Sequence, residues 1–199
     1  MHRLSNYQHY IEMVQEQLDT IFEQQKEYIC CCEGCSSCCE EGMYPYSELE
    51  FRYLMIGFRQ LSDEEKEQVI SETKKLLEIY KEKNCECFMH KCPFLINKKC
   101  SVYNYRGFIC RTHGLITEND SGKLTLPYCV GFGKNYSKVY DESTKMIQLE
   151  KVKECGYKTI PEAHNLSRKN LMHLSVAEKL GLDFGETKML IEWLFLDVL

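Results

Sequence analysis

Thirteen of the 199 residues are cysteine, and four of them crowd into the run Cys32-Glu33-Gly34-Cys35-Ser36-Ser37-Cys38-Cys39. A chain this dense in thiols folds either as a disulfide framework or around metal, and the redox compartment decides between the two. The opening segment, Met1 to Tyr10, has no apolar stretch of the secretory kind. An odd number of cysteines also leaves one thiol over from any complete disulfide set. The expectation is therefore a cytoplasmic protein with reduced thiols available to metal. No stretch approaches the roughly 20 apolar residues of a membrane span. The most apolar run, Met189 to Leu199, is interrupted by Glu192 and Asp197. A formal charge of −5 argues against a general nucleic-acid binder.

Two residues between cysteines let one tight turn aim two thiolates at a single metal, and two consecutive intervals of this kind supply three. Zinc sites usually join one such pair to a distant second pair. Iron–sulfur clusters more often take three closely spaced cysteines and a fourth from elsewhere, followed by proline, and Cys92-Pro93 fits that description. Adjacent residues of an extended chain project to opposite sides, so Cys38 and Cys39 are expected to serve different sites, or one of them to stay a free thiol. Adding Cys92, Cys100, Cys110 and Cys129 to Cys32, Cys35, Cys38 and Cys39 makes eight candidate ligands. Eight complete two four-ligand sites, or one site with spare thiols. The expected cofactor is an iron–sulfur cluster of the 4Fe-4S type, with Zn2+ as the alternative.

Charge patterning agrees with this. From Phe88 to Gly114 there is no acidic residue, but there are Lys91, Lys98, Lys99, Arg106 and Arg111. Nearby cations lower thiol pKa values and stabilise a thiolate site that stays net negative after binding its metal. The plainer reading is an exposed basic loop for an anionic partner. Cys30, Cys31, Cys85, Cys87 and Cys155 read as spare or buried thiols. His90 and His113 flank ligand candidates and are expected at the surface, with replacement of a cysteine, or support of a ligand from behind, as the alternative. His164 and His173 carry no motif. There is no phosphate-binding glycine loop, nucleophile elbow or HExxH pair.

The run 32–39, followed in order by Cys92-Pro93-Phe94-Leu95, Cys100-Ser101-Val102-Tyr103, Arg106 and Cys110-Arg111, resembles the YkgJ-like cysteine-cluster family, a zinc- or iron-chelating domain with a CxxCxxCC motif. The resemblance covers roughly residues 30 to 130. It departs at Gly107, where that family usually has proline after the arginine. A related cysteine set in flagellin lysine methylases implies that such a domain can accompany an enzyme with an iron–sulfur centre.

The expected fold is mainly α, a single domain with a small irregular, metal-stabilised lobe that contains a short β-hairpin. Leu4, Tyr7, Ile11, Val14, Leu18, Ile21 and Tyr28 mark an amphipathic helix over 4–29, broken once by Gln25. Its stripe is expected on the chain's own core, with a homodimer through this helix as the alternative. Ser47–Glu50 and Ser62–Glu65 read as capping boxes opening an αα-hairpin over 47–83, inserted in the cysteine core of 30–133. Asn119-Asp120-Ser121-Gly122 reads as a hairpin turn between 115–117 and 124–126. Residues 134–199 are expected to be mostly helical, with a strand pair near 139–140 and 146–147. One helix is expected from Ser167 to about Leu180, and a last helix from about Glu186 to Val198. The functional expectation is a cytosolic metal-binding protein in redox chemistry or accessory to a modifying enzyme. The alternatives are a structural zinc module that presents a surface to a protein partner, and metal storage or delivery.

Overall fold

The structure, a computed structural model, describes residues 2–32, 34–83 and 88–197. Cys85 and Cys87 lie outside the described residues. The chain is mainly α, with four two-stranded antiparallel sheets among the described residues. No described helix is long and apolar enough to cross a membrane.

Helix α1 spans His2–Gln24. Its stripe is taken up by the chain itself: Tyr7, Tyr10, Ile11, Val14 and Leu18 pack with Leu49, Tyr53, Phe108, Leu171, Ala177 and Phe184. The face that could have met a second copy is thus covered from within. The helix stops short of residue 29 at the one polar break. Gln25 is buried, donates to the Glu162 carbonyl at 2.6 Å and accepts from the Tyr136 hydroxyl. Tyr28 follows outside the helix and stacks on Tyr136, with ring centroids 5.9 Å apart.

After the short helix α2 (Ser37–Glu40) and strand β1 (Pro45–Ser47) comes the central helix α3 (Glu48–Gln60). Both expected capping boxes form. Ser47 Oγ accepts from the Glu50 amide at 3.3 Å while Glu50 Oε2 accepts from the Ser47 amide at 2.8 Å. Ser62 and Glu65 repeat the exchange at 3.2 and 3.0 Å to open α4 (Asp63–Lys83). Leu49 and Tyr53 of α3 face α1, whereas Phe51, Leu54, Met55 and Phe58 face a second core with Tyr44, Tyr46, Phe94 and Leu190. α3 is the wall between the two.

Strands β2 (Leu95–Ile96) and β3 (Lys99–Cys100) form a hairpin that the sequence reading missed. Asn97 and Lys98 join them with φ of 49° and 61°, the left-handed pair that a two-residue hairpin turn demands. Asn suits that conformation and Lys gives no such signal. A 3₁₀ turn at Tyr103–Tyr105 leads into α5 (Phe108–Thr112). Next, β4 (Thr117–Glu118) and β5 (Leu124–Thr125) pair around the expected turn, where Asn119 Oδ1 accepts from the Ser121 and Lys123 amides at 3.0 and 2.9 Å. A 3₁₀ helix at Tyr128–Phe132 precedes β6 (Tyr140–Asp141) and β7 (Met146–Ile147), which pair as expected.

The C-terminal third departs from expectation twice. After α6 (Leu149–Glu154), the single helix expected from Ser167 is two: α7 (Arg168–Met172) and α8 (Ser175–Lys179), parted by Leu174 in extended conformation. Leu171 and Ala177 both pack under α1. In one straight helix they would point about 120° apart, and the break brings both to the same core. The last helix starts late. Thr187–Met189 forms β8 and pairs with β1, Pro45 opposite Met189 and Ser47 opposite Thr187. Helix α9 (Leu190–Asp197) then begins where Glu192 Oε2 accepts from the Met189 amide at 2.7 Å.

Candidate metal centre

Helix α2 holds Cys38 and Cys39 in a turn closed by Cys39 and Glu40 amides donating to the Ser36 carbonyl at 2.7 and 2.9 Å. Because the segment is helical and not extended, the two sulfurs do not diverge; they lie 4.0 Å apart. A tetrahedral thiolate site with metal–sulfur bonds of about 2.3 Å has sulfurs about 3.8 Å apart, so the pair can share one metal. Just before it, a turn from Cys32 O to Cys35 N, 3.0 Å, folds the first interval back.

The distant ligands are positioned by the scaffold. Cys92 is buried, and its amide donates to the Cys39 carbonyl at 2.8 Å. Cys100 sits on β3 opposite Leu95. Cys110 is on α5, whose first amide, Phe108 N, donates to Glu50 Oε1 at 2.8 Å. Glu50 is fully buried and also receives Arg168 Nη2 at 2.5 Å. One carboxylate therefore caps α3, caps α5 and neutralises an arginine. Gly107 lies in the same junction. Its amide donates to the Tyr46 hydroxyl at 3.0 Å, and a Cβ there would meet Glu50 Oε1 at 2.7 Å and the Tyr46 ring at 2.8 Å. Proline would lose the donor and overfill the space, so the junction is built for glycine.

Seven of the eight expected ligands, Cys32, Cys35, Cys38, Cys39, Cys92, Cys100 and Cys110, line one cavity of about 720 Å³, and Cys31 joins them. Cys129 is not in its wall. Tyr44, Tyr46, Leu54, Phe94 and Leu190 supply much of the apolar lining. Lys98, Lys99, Arg106 and Arg111 bring positive charge, and Asp19 is the one carboxylate among the described lining residues. Arg106 stacks over the Tyr103 ring at 3.4 Å. Arg111 mostly ties chain segments together, donating to Gln15 Oε1 at 2.6 Å and to the Asn104 and Arg106 carbonyls at 2.8 and 2.9 Å.

Burial holds the deepest thiols neutral. It pushes the Cys92 thiol well up, raises Cys100, and takes Cys110 up to about 12, with neighbouring thiols adding to each shift and Arg106 opposing it at Cys100 and Cys110. The Cys38–Cys39 hydrogen bond lowers Cys38 and raises Cys39, and Arg106 and Lys134 further favour the Cys38 thiolate. Tyr46 OH lies 3.3 Å from Cys110 Sγ, and Lys134 Nζ lies 3.8 Å from Cys35 Sγ. A metal cation displacing these protons would supply the compensating charge that the low-dielectric site lacks.

No group of three or more described His, Cys, Asp or Glu residues is arranged to hold a metal ion. The sulfurs border a space; they do not converge on a point. The donor chemistry fits, and the cavity offers the room.

Neither flanking histidine is the surface residue expected. His90 is buried, with Nδ1 2.8 Å from the Lys91 carbonyl and its ring stacked on Phe88. His113 lines the cavity, and its buried Nε2 has no hydrogen-bond partner. Cys155 is exposed, with its sulfur 4.0 Å from the Lys138 carbonyl. The sequence reading missed Tyr46, Lys134 and Asn135, none of which belongs to a motif. Cys31, expected as a spare or buried thiol, lines the cavity.

No family model, curated protein or solved structure matches this chain.

Proposed function

We propose that the chain is a metal-binding protein whose cavity thiolates hold an iron–sulfur cluster, serving redox chemistry or a modifying enzyme. The observation that carries this is the gathering of eight cysteines from four separate segments around one cavity. Such a cluster supplies electron transfer. The chain's own residues shape the site: Tyr46 aims its hydroxyl at Cys110, and Arg106 offsets thiolate charge at Cys100 and Cys110. The YkgJ-like resemblance is part of this proposal and rests on the cysteine blocks alone.

A structural zinc module is the second reading, favoured by the 4.0 Å spacing of the Cys38 and Cys39 sulfurs. Elemental analysis, acid-labile sulfide and an absorption spectrum on protein purified without air separate the two. Iron with sulfide and a broad visible band is the expected result. Zinc alone in a colourless protein would replace the cluster with the structural module, and the absence of both metals would overturn the metal reading.

A further inference from the structure

At about 720 Å³ the thiol-lined cavity has the size of sites that enclose a small organic molecule, about 300–1,000 Å³. Its two ends differ. At one, Cys92 belongs to the core of Tyr44, Tyr46 and Phe94, and Cys39, Cys100 and Cys110 pack against that same core. The other end runs to α1, where Gln15, Asp19 and Phe22 line it together with Cys31 and His113. Phe22 packs there against the α1 core. Arg111 bridges the Arg106 carbonyl, at 2.9 Å, to Gln15 Oε1, at 2.6 Å, which sets Arg106 beside this end.

Arg106 is held from behind. Its Nε donates to the Tyr103 carbonyl at 2.8 Å, and its guanidinium lies 3.4 Å over the Tyr103 ring. Its two terminal nitrogens have no hydrogen-bond partner among the described residues. Tyr103 also lines the cavity and is 59% exposed, so the pair stands on the outer side. The other charges at this end are engaged. Arg111 serves Gln15 and two carbonyls, and Asp19 accepts from Gln15 Nε2 at 2.7 Å. A guanidinium fixed at Nε, with two terminal nitrogens to give, is the fork that meets a carboxylate or a phosphate. His113 adds a buried Nε2 without a partner, and an unpaired buried polar atom costs about 1–3 kcal/mol.

We infer that the α1 end of the cavity binds a small organic anion. Its carboxylate or phosphate group sits in the Arg106 fork with His113 Nε2 as a further contact, and its apolar body rests on Phe22. The site stands on the walls of the cavity and not on what the thiols hold, so it goes beyond the metal reading. Cys39, Cys92, Cys100 and Cys110 lie against the other core, and the anion competes with none of them.

The test is calorimetric titration of the full-length, reduced chain, purified without air and with its metal content measured. The probes are benzoate, phenyl phosphate and the neutral benzamide. One of the two anions is expected to bind and benzamide is not; the tighter anion assigns the head group as carboxylate or phosphate. Arg106→Gln should weaken that anion by about 10-fold or more, and His113→Phe by a smaller factor. Lys123→Gln removes an equal charge from the exposed turn between β4 and β5 and should leave the affinity unchanged. If Arg106→Gln fails to fold, Arg106→Lys decides, because it keeps the charge, loses the fork and should still bind more weakly than wild type. Binding of neither anion, equal binding of benzamide, or unchanged affinity in the Arg106 or His113 variant overturns the site as described. Inorganic phosphate bound as tightly as phenyl phosphate overturns the apolar wall. A chain without metal that binds the anion refutes the proposed function and keeps this site. A metal-loaded chain that binds neither anion refutes this site alone.

Discussion

Glu50→Gln tests how the scaffold holds the cysteine loops. The native carboxylate receives four donors: the Ser47 amide and hydroxyl, each at 2.8 Å, the Phe108 amide at 2.8 Å, and Arg168 at 2.5 Å. An amide of the same shape has one acceptor oxygen, so its NH2 must oppose either Phe108 N–H or the Ser47–Arg168 side. The cheaper orientation strands the Phe108 donor at about 1–3 kcal/mol and leaves Arg168, 16% exposed at its side chain, without a counter-charge. Breaking a buried ion pair at one partner costs ~3–5 kcal/mol, and since the two effects overlap, a loss of about 4 kcal/mol is expected. Urea unfolding at matched metal content measures it, and the α5 end that carries Cys110 should lose metal affinity in parallel. Removing both charges in Glu50→Leu/Arg168→Leu should cost less than the sum of the single changes. A loss below about 1 kcal/mol for Glu50→Gln, or strict additivity in the double variant, would refute the junction as described.

Gly107→Pro should destabilise by about 2–4 kcal/mol, the sum of overpacking against Glu50 and Tyr46 and of one lost hydrogen bond; the urea midpoint reports it. Tyr7→Phe should stabilise by roughly 1 kcal/mol, because the Tyr7 hydroxyl is buried without a partner; a thermal melt lower than wild type would contradict this. Burial lowers the pKa of both His90 and His113. Their neutral forms therefore contribute stability that is fully present above the unfolded imidazole value of about 6.5 and lost as pH falls through the lower folded values. His90→Phe should flatten that acid-side loss in urea titrations between pH 7 and pH 5, and an unchanged slope would count against it.

Elements written in local chemistry were legible in the sequence. The two capping boxes, the Asn119–Gly122 turn and the α1 stripe each rest on residues within a few positions of one another. What escaped were features whose cause lies far along the chain. Thr187–Met189 reads as helix until Pro45–Ser47 offers a strand to pair with. The 167–180 helix breaks because Leu171 and Ala177 must both reach the core under α1. At the candidate centre, the spacing of Cys32 to Cys39 and the later cysteine blocks pointed to the residues that line the cavity. Periodicity could not show that α2 turns Cys38 and Cys39 to one side, nor that Asn135, with no motif around it, reaches Cys30 and Cys31.

The pairing of β1 with β8 has a consequence for timing. Leu190, directly after β8, lines the thiol cavity, and its amide donates to the Tyr44 carbonyl at 2.7 Å. The cysteines emerge from the ribosome long before that wall exists. Only when the segment through Asp197 has emerged and docked is the cavity wall complete. Closing of the cavity is then a step that follows translation of that segment, and a chain stalled before residue 187 would present its thiols to solvent.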